Sequence, residues 1–327
     1  LNIEKLETWY IKNHRKLPFR ETKDPYHIWV SEVMLQQTQV DTVIPYFKRF
    51  IKTFPTVNHL AKTDEETLFN LIQGLGYYRR FKNMHQAAQM IVDQYQGIFP
   101  STYDEIIKLP GIGAYSVGAI MSIAFNQPVS ATDGNVIRVL SRLYDIEKDM
   151  RLTKHKNEIS QLNQSLIINA HPHVYTQAMM ELGALICKPK QPLCDACPLK
   201  QTCKAYELGK VDQLPILSKK PKKKTHRFKT FIIRHNDVVY LRKRTEKLLG
   251  GMYEFPQFSG DIPFNFKPIK DIGHVKHIFT HLIWEMDVIE VELVSKPLDE
   301  WVPISLAELN QYPMSTAHKK VYYILMK

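Results

Sequence analysis

The chain's only four cysteines fall within seventeen residues, as Cys187-x6-Cys194-x2-Cys197-x5-Cys203. A chain of a reducing compartment does not crowd its thiols in this way for disulfides, and four thiolates in one loop suit a metal centre. Zinc ligands usually come as two short Cys-x2–4-Cys pairs separated by a longer spacer. One short pair flanked by six and five residues suits a wrap around something larger than one ion. The spacing therefore favours [4Fe–4S] over zinc, and either over no metal. Lys188 and Lys190 stand between the first two cysteines, where an ordered loop would present them to phosphate; two solvated lysines are an equal reading.

A second candidate is Leu109-Pro110-Gly111-Ile112-Gly113-Ala114-Tyr115-Ser116-Val117-Gly118-Ala119. A Gly-x-Gly turn opening into a helix offers free backbone N–H groups to a phosphate without a charged side chain. With helical pattern on both sides, it reads as a helix-hairpin-helix gripping the DNA backbone irrespective of sequence. Fourteen residues later Asp133 stands in Ala131-Thr132-Asp133-Gly134-Asn135, just ahead of a helix starting near Val136. Its commoner use there is as an N-cap, worth roughly 1 kcal/mol. The alternative is a carboxylate kept ionised by the positive helix end and aimed into a cleft. Glu32 is the other acid, in the stretch from Trp29 to Val40. A surface glutamate is the ordinary reading, but a carboxyl against an apolar wall favours its protonated form, as a general acid needs. Positions 30, 33, 40, 44 and 47 form one apolar face in which Gln37 is a polar gap, requiring a polar network or a ligand.

These residues need a frame. From about residue 3 to 186 the pattern is helical, with stripes such as Val136, Val139, Leu140 and Leu143, and with Pro and Gly as punctuation. Seven of the eleven residues from Lys219 to Lys229 are basic and none is acidic, which reads as a solvated linker. Beyond it the period shortens toward two, over 228–233, 238–241 and 286–294, before helical pattern returns at 304–310 and 316–325. The expected architecture is multidomain: an all-α domain over 1–204, a basic linker over 205–227, and an α+β domain over 228–327. The chain's 327 residues fit two domains, and its net charge of +11 favours a polyanionic partner, nucleic acid first. No apolar run approaches the roughly 18–20 residues that span a bilayer. The first residues carry acids where a secretion signal has a basic then apolar stretch, so a cytoplasmic, nucleoid-associated protein is expected.

The motifs Ser31-Glu32-Val33-Met34-Leu35-Gln36-Gln37-Thr38, Gly74-Leu75-Gly76-Tyr77-Tyr78, the Leu109–Ala119 hairpin, Asp133-Gly134-Asn135 and the four-cysteine loop occur in this order. Together they resemble the MutY-type adenine DNA glycosylases of the endonuclease III superfamily. Gly250-Gly251-Met252-Tyr253-Glu254-Phe255-Pro256 and His277-Ile278-Phe279-Thr280-His281 are similar to that family's extra, Nudix-like domain. The resemblance covers nearly the whole chain. It implies a helix-hairpin-helix catalytic domain (hairpin about 105–125, iron–sulfur loop 187–203) and a Nudix-like lesion-recognition domain. Glu32 is implied to protonate adenine, and Asp133 to stabilise the oxocarbenium-like sugar, with Tyr115 and Asn135 holding them in register. The adenine must leave the duplex for this.

The same resemblance implies that Arg20 and Gln177 line the adenine pocket. Gln37, Thr38, Leu75 and Tyr77 would wedge beside the opposite 8-oxoguanine, with Phe279, Thr280 and His281 approaching from the other domain. Gly111, Gly113, Lys188 and Lys190 would hold DNA phosphate. Cys187, Cys194, Cys197 and Cys203 would bind a [4Fe–4S] cluster, with no nucleotide cofactor. The implied partner is duplex DNA carrying adenine opposite 8-oxoguanine or guanine, met by a monomer away from membranes. A linker contact with DNA or a clamp protein is the alternative to a free tether. Tyr115 stands where bifunctional relatives carry a Schiff-base lysine, which implies a monofunctional enzyme with little strand cleavage. Two positions depart from the family pattern: Phe19 where Trp is expected, and Thr280 where Ser is expected. No Arg-Glu-x-x-Glu-Glu run occurs in 225–327, so the second domain is expected to bind and not to hydrolyse pyrophosphate. The competing readings are a glycosylase for damaged pyrimidine or mismatched thymine, which Tyr115 and the second domain oppose, and a non-catalytic damage binder or redox sensor, which Glu32 with Asp133 opposes.

Overall fold

The computed structural model describes residues 1–235 and 237–326. Packing divides them into two compact units, Leu1–Ala61 with Asn83–Lys220, and Lys62–Lys82 with Pro221 onward. Both expected classes are present: a helical part, and a part in which strands and helix combine. Residues 62–82 group with the second unit, and a strand already begins at Lys224, inside the stretch read as a linker. The preceding residues are tied to the first unit: Leu214 is buried, its carbonyl accepts from Arg142 Nε at 2.9 Å, and Met150 N donates to Ile216 O at 2.8 Å.

The helices are α1 (Ile3–Asn13), α2 (Pro25–Leu35), α3 (Val40–Thr53), α4 (Val57–Lys62), α5 (Glu65–Leu71), α6 (Arg79–Tyr95), α7 (Tyr103–Ile106), α8 (Ala114–Ile123), α9 (Gly134–Leu143), α10 (Thr153–Ile167), α11 (Pro172–Leu185) and α12 (Lys204–Glu207). Polar caps start several of them: Asn2, Asp24, Asp64 and Asp133 each accept a backbone N–H two or three residues on. Two helices set up the site. α2 is apolar nearly all round and buries Ile28 through Met34; α8 buries Ser116 through Ile123, and the two pack together. A helix without a polar face belongs in the interior. Glu32 goes inside with α2 and is 7% exposed, not a surface residue. The first unit's core joins Leu6 and Tyr10 of α1, Val136, Val139, Leu140 and Leu143 of α9, and Tyr175, Met179 and Leu182 of α11.

One expectation needs correction. The apolar face from residue 30 to 47 does not lie on one helix: α2 stops at Leu35 and α3 starts at Val40. Gln37 sits in the turn between them with a left-handed backbone (φ +60°), so it is no gap in a buried stripe. The polar run Gln36-Gln37-Thr38-Gln39 is what interrupts the helical pattern.

The second unit holds β1 (Lys224–His235), β2 (Val238–Lys243), β3 (Tyr253–Glu254), β4 (Gln257–Phe258), β5 (Phe266–Ile278), β6 (Leu282–Leu293), β7 (Trp301–Ser305) and α13 (Thr316–Leu325). The strand order is β3-β2-β1-β6-β5, with β4 added to β1 and β7 to β2; β1 and β6 run parallel, and the other pairs are antiparallel. Successive residues of β1 serve opposite faces: Phe231 and Ile233 join Phe264 and Trp301 on one side, and Ile232 joins Trp284, Met286 and α13's Val321 on the other. Among the described residues no helix is long and apolar enough to cross a membrane.

On β3, Glu254 is fully buried and ion-paired with Arg242 at 2.5 Å and with Arg244, and it lies 3.3 Å from His318 Nε2. Burial alone would raise its pKa, but His318 and the two arginines outweigh that and hold it down at about 2. Removing one partner of a buried pair leaves the other charge uncompensated. Glu254→Gln is therefore expected to cost about 3–5 kcal/mol, read as a lower denaturant midpoint.

Candidate active site

Glu32 Oε2 accepts a 2.6 Å hydrogen bond from the Tyr115 hydroxyl, joining α2 to the first turn of α8. Burial pushes the Glu32 pKa up to about 7; the Tyr115 bond and the Arg20 charge pull it down, and the Asp133 charge adds to the rise. Tyr115 itself is driven well above its ordinary value by burial and by the two carboxyls, so it remains a donor at ordinary pH. A carboxyl titrating near neutrality beside an obligate donor has the properties of a general acid. Tyr115→Phe removes a bond that lowers this pKa. The titration of the Glu32 carboxyl is then expected to move to higher pH, by roughly half a unit to one unit, followed from pH 5 to 9 by NMR with labelled glutamate.

Asp133 is the N-cap of α9: Oδ1 accepts from Val136 N at 2.8 Å and Oδ2 from Asn135 Nδ2 at 2.8 Å. The capping use is present, and the carboxyl also lies close enough to act on Glu32 and Tyr115. Its pKa is not held down, however. Burial raises it, against the bonds from Val136 and Asn135 and the Arg138 charge. Two glycines permit the placement. A Cβ on Gly118 of α8 would come within 2.1 Å of Ser130 O, and one on Gly183 of α11 within 2.5 Å of Asn135 Cβ. The segment carrying Asp133 therefore lies against α8 and α11 at distances no side chain allows.

Asn135 continues inward: its Oδ1 accepts from Arg138 Nη2 at 2.9 Å, and Arg138 also donates to Gly183 O at 2.8 Å and Cys187 O at 2.7 Å. One turn on, Arg142 donates to Cys187 Sγ at 3.3 Å and Lys188 O at 2.7 Å. Sequence reasoning missed both arginines, although each is a charged residue inside the apolar periodicity of α9.

The four cysteines are half-buried and free, and three of them pack against the helical core. Burial raises the thiols of Cys194, Cys203 and Cys197, the last to about 11, and each also feels its neighbouring thiols. They are mutual neighbours, but among the described residues no three His, Cys, Asp or Glu side chains are drawn together as ligands of a single ion. The donor set fits a thiolate-bound cluster. Lys188 and Lys190 are exposed on that loop. Gly111 has a left-handed backbone (φ +78°), and Gly113 caps α8.

Arg20 lies in a short turn, Pro18–Arg20, behind a buried Phe19 that packs edge-on against Phe47. Its guanidinium pairs at 2.7 Å with Glu181 of α11, and Arg15 reaches the same carboxylate at 2.7 Å. Gln177, one turn before Glu181, is buried, and its Nε2 donates to His173 O at 3.2 Å. Gln37 and Thr38 belong to the first unit. Leu75, Tyr77, Phe279, Thr280 and His281 belong to the second. There Leu75 is buried, Tyr77 is exposed in a left-handed conformation (φ +48°), and Thr280 and His281 form the exposed tip of the β5–β6 hairpin. The structure thus joins Glu32, Tyr115, Asp133, Asn135 and Arg20 in one unit and divides the proposed lesion-reading residues between two.

Comparison with known proteins gives the chain's relatives. Residues 30–167 match the HhH-GPD superfamily of base excision DNA repair proteins, and residues 229–323 match the NUDIX domain. An adenine DNA glycosylase of Buchnera aphidicola subsp. Baizongia pistaciae (strain Bp) is 39% identical over 289 residues, which cover 84% of this chain and 81% of the relative. The adenine DNA glycosylase of Buchnera aphidicola subsp. Acyrthosiphon pisum (strain APS) is 36% identical over 297 residues, covering 87% and 85%. Among solved structures, a thermostable thymine-DNA glycosylase is 25% identical with a TM-score of 0.57, covering 63% of this chain and 95% of its own.

Proposed function

The chain belongs to the adenine DNA glycosylase family, a DNA glycosylase of base excision repair, and from that premise we propose that it excises adenine mispaired with 8-oxoguanine or guanine and leaves the strand uncut. The observation that carries the reading is the 2.6 Å bond between Tyr115 and a Glu32 held near pKa 7, beside the capped carboxyl of Asp133. Adenine is drawn out of the duplex, and Glu32 delivers its proton to N7. The C1′–N9 bond breaks with its electron pair leaving on the base. The Asp133 carboxylate stabilises the resulting oxocarbenium-like sugar or bonds to it transiently, and water completes the abasic product. Excision is strong below about pH 7 and fades as Glu32 ionises above it.

Arg20 and Gln177 are read as the adenine pocket. Gln37, Thr38, Leu75 and Tyr77, with Phe279, Thr280 and His281, are read as the surfaces that recognise 8-oxoguanine. The hairpin glycines with Lys188 and Lys190 are read as phosphate contacts. Cys187, Cys194, Cys197 and Cys203 would hold a [4Fe–4S] cluster, whose contribution when bound is to cross-link and stiffen the loop carrying those lysines. Purified protein is expected to be yellow-brown with about four irons per chain; a colourless zinc protein of full activity would overturn this.

The deciding assay measures base release from duplexes with adenine opposite 8-oxoguanine, adenine opposite guanine, thymine opposite guanine, and an oxidised pyrimidine. Adenine release from the first two, lost in Glu32→Gln, is the expected result. No release from the first sinks the reading, and efficient borohydride trapping on DNA sinks its monofunctional part.

A further inference from the structure

Glu181 has no role in the chemistry described above. It lies in the run Ala178-Met179-Met180-Glu181-Leu182-Gly183, and its carboxylate is wholly buried. Oε1 accepts from the Arg15 backbone N–H and Nε, both at 2.9 Å, and Oε2 from Arg15 Nη2 and Arg20 Nη2, both at 2.7 Å. Arg20 also reaches Arg15 O at 3.5 Å and lies over the Tyr10 ring at 5.8 Å. Its turn packs on α2, the helix that carries Glu32.

Taking the family activity as read above, we infer that Glu181 is a positioning residue of the active site: by closing on Arg15 and Arg20 it fixes Arg20 beside α2 and offsets the positive charge that Arg20 presents to Glu32, preserving that residue's proton. Facing Glu32 are Tyr115 from α8, Asp133 from the cap of α9, and Arg20 from the turn before α2. Glu181 faces Arg15, Arg20 and the Tyr10 hydroxyl. Its own pKa is pushed up by burial, yet the two arginines bring it down to about 2, so it stays charged wherever Glu32 titrates. Without it, an uncompensated Arg20 favours ionised Glu32, and the general acid is spent at a lower pH.

The test compares full-length Glu181→Gln with the natural chain by the pH dependence of single-turnover adenine release. The midpoint of the fall in rate is expected to drop by about half a pH unit or more, the effect of one net charge within the protein. Glu181→Asp is expected to return the midpoint toward its natural position. A purely structural Glu181 predicts instead an equal loss of rate at every pH and an unmoved midpoint, and that result overturns the inference. Should Glu181→Gln fail to fold, Arg15→Gln leaves Glu181 wholly to Arg20, and the midpoint is expected to rise; no movement there overturns the inference as well. A separate arm follows the Glu32 carboxyl in free protein by NMR with labelled glutamate, assigned by its absence in Glu32→Gln. If no adenine is released but this titration shifts as stated, the functional reading fails and the role of Glu181 stands. If adenine is released and neither midpoint moves, the role of Glu181 fails alone.

Discussion

Glu32→Gln is expected to reduce adenine excision by about 10³-fold or more while making the protein more stable at alkaline pH. The loss follows because the amide has no proton to give the departing base, and a positioned acid contributes on the order of 10²–10⁴-fold before any misalignment is added. The gain follows from linkage. Glu32 titrates near 4.5 in the unfolded chain and at about 7 in the folded one, so the folded state binds this proton more tightly. Stability contributed by the group is full below 4.5 and is lost as pH rises to 7. Above that, the buried carboxylate costs about 3 kcal/mol. Glutamine keeps an oxygen for Tyr115 and removes the charge. Urea unfolding of the two proteins should therefore diverge at pH 8 and converge near pH 4.5. A variant that stays active, or one no more stable at pH 8, contradicts the assignment of Glu32 as the buried acid.

Asp133→Asn is expected to leave the fold nearly untouched and still cut the excision rate by about 10³-fold or more, the scale on which a removed electrostatic stabiliser acts. Asparagine caps helices about as well as aspartate, so the bond from Val136 N is retained. The contact with Asn135 Nδ2 becomes donor against donor, a loss of about 1 kcal/mol. On the reading proposed above, what disappears is the negative charge that would face the developing positive sugar. The two uses of this residue are thereby separated: near-natural rates in Asp133→Asn would reduce it to a cap, whereas an inactive but stable variant assigns it to the chemistry. Asp133→Ala, lacking both, should lose stability as well as rate.

How much of this was legible in the sequence depended on how local each feature is. The cysteine loop, the hairpin and the cap at Asp133 are set by neighbours a few residues apart, and their spacing alone announces them. Glu32 looked like a surface residue until its whole helix is seen to lack a polar side: the aromatic and aliphatic residues from Tyr26 to Met34 take it inward. The stripe through Gln37 misled because apolar residues on two successive helices kept step across a polar turn. Glu181, Arg138 and Arg142 were missed for one reason. Each is a charge in an apolar run whose partner lies far along the chain, such as the 166 residues between Arg15 and Glu181. Asking what a lone charge in such a run must pair with would have flagged all three. The close approaches at Gly118 and Gly183 have no such signal, since nothing local marks a glycine that a distant backbone will touch.

The ties from α9 to the segment Gly183–Lys188 bear on the order in which the protein is made. Arg138 finds its partner Cys187 only 49 residues downstream, and Gly183 closes on Asn135 at a similar remove. While the chain emerges from the ribosome, Glu32, Tyr115 and Asp133 are all present before the segment that fixes the last of them. A chain interrupted before residue 183 carries all three groups but lacks the α11 side of the seat for Asp133. On the reading proposed above, competence to cut a base thus waits for the segment 183–188, just past the middle of the 327-residue chain.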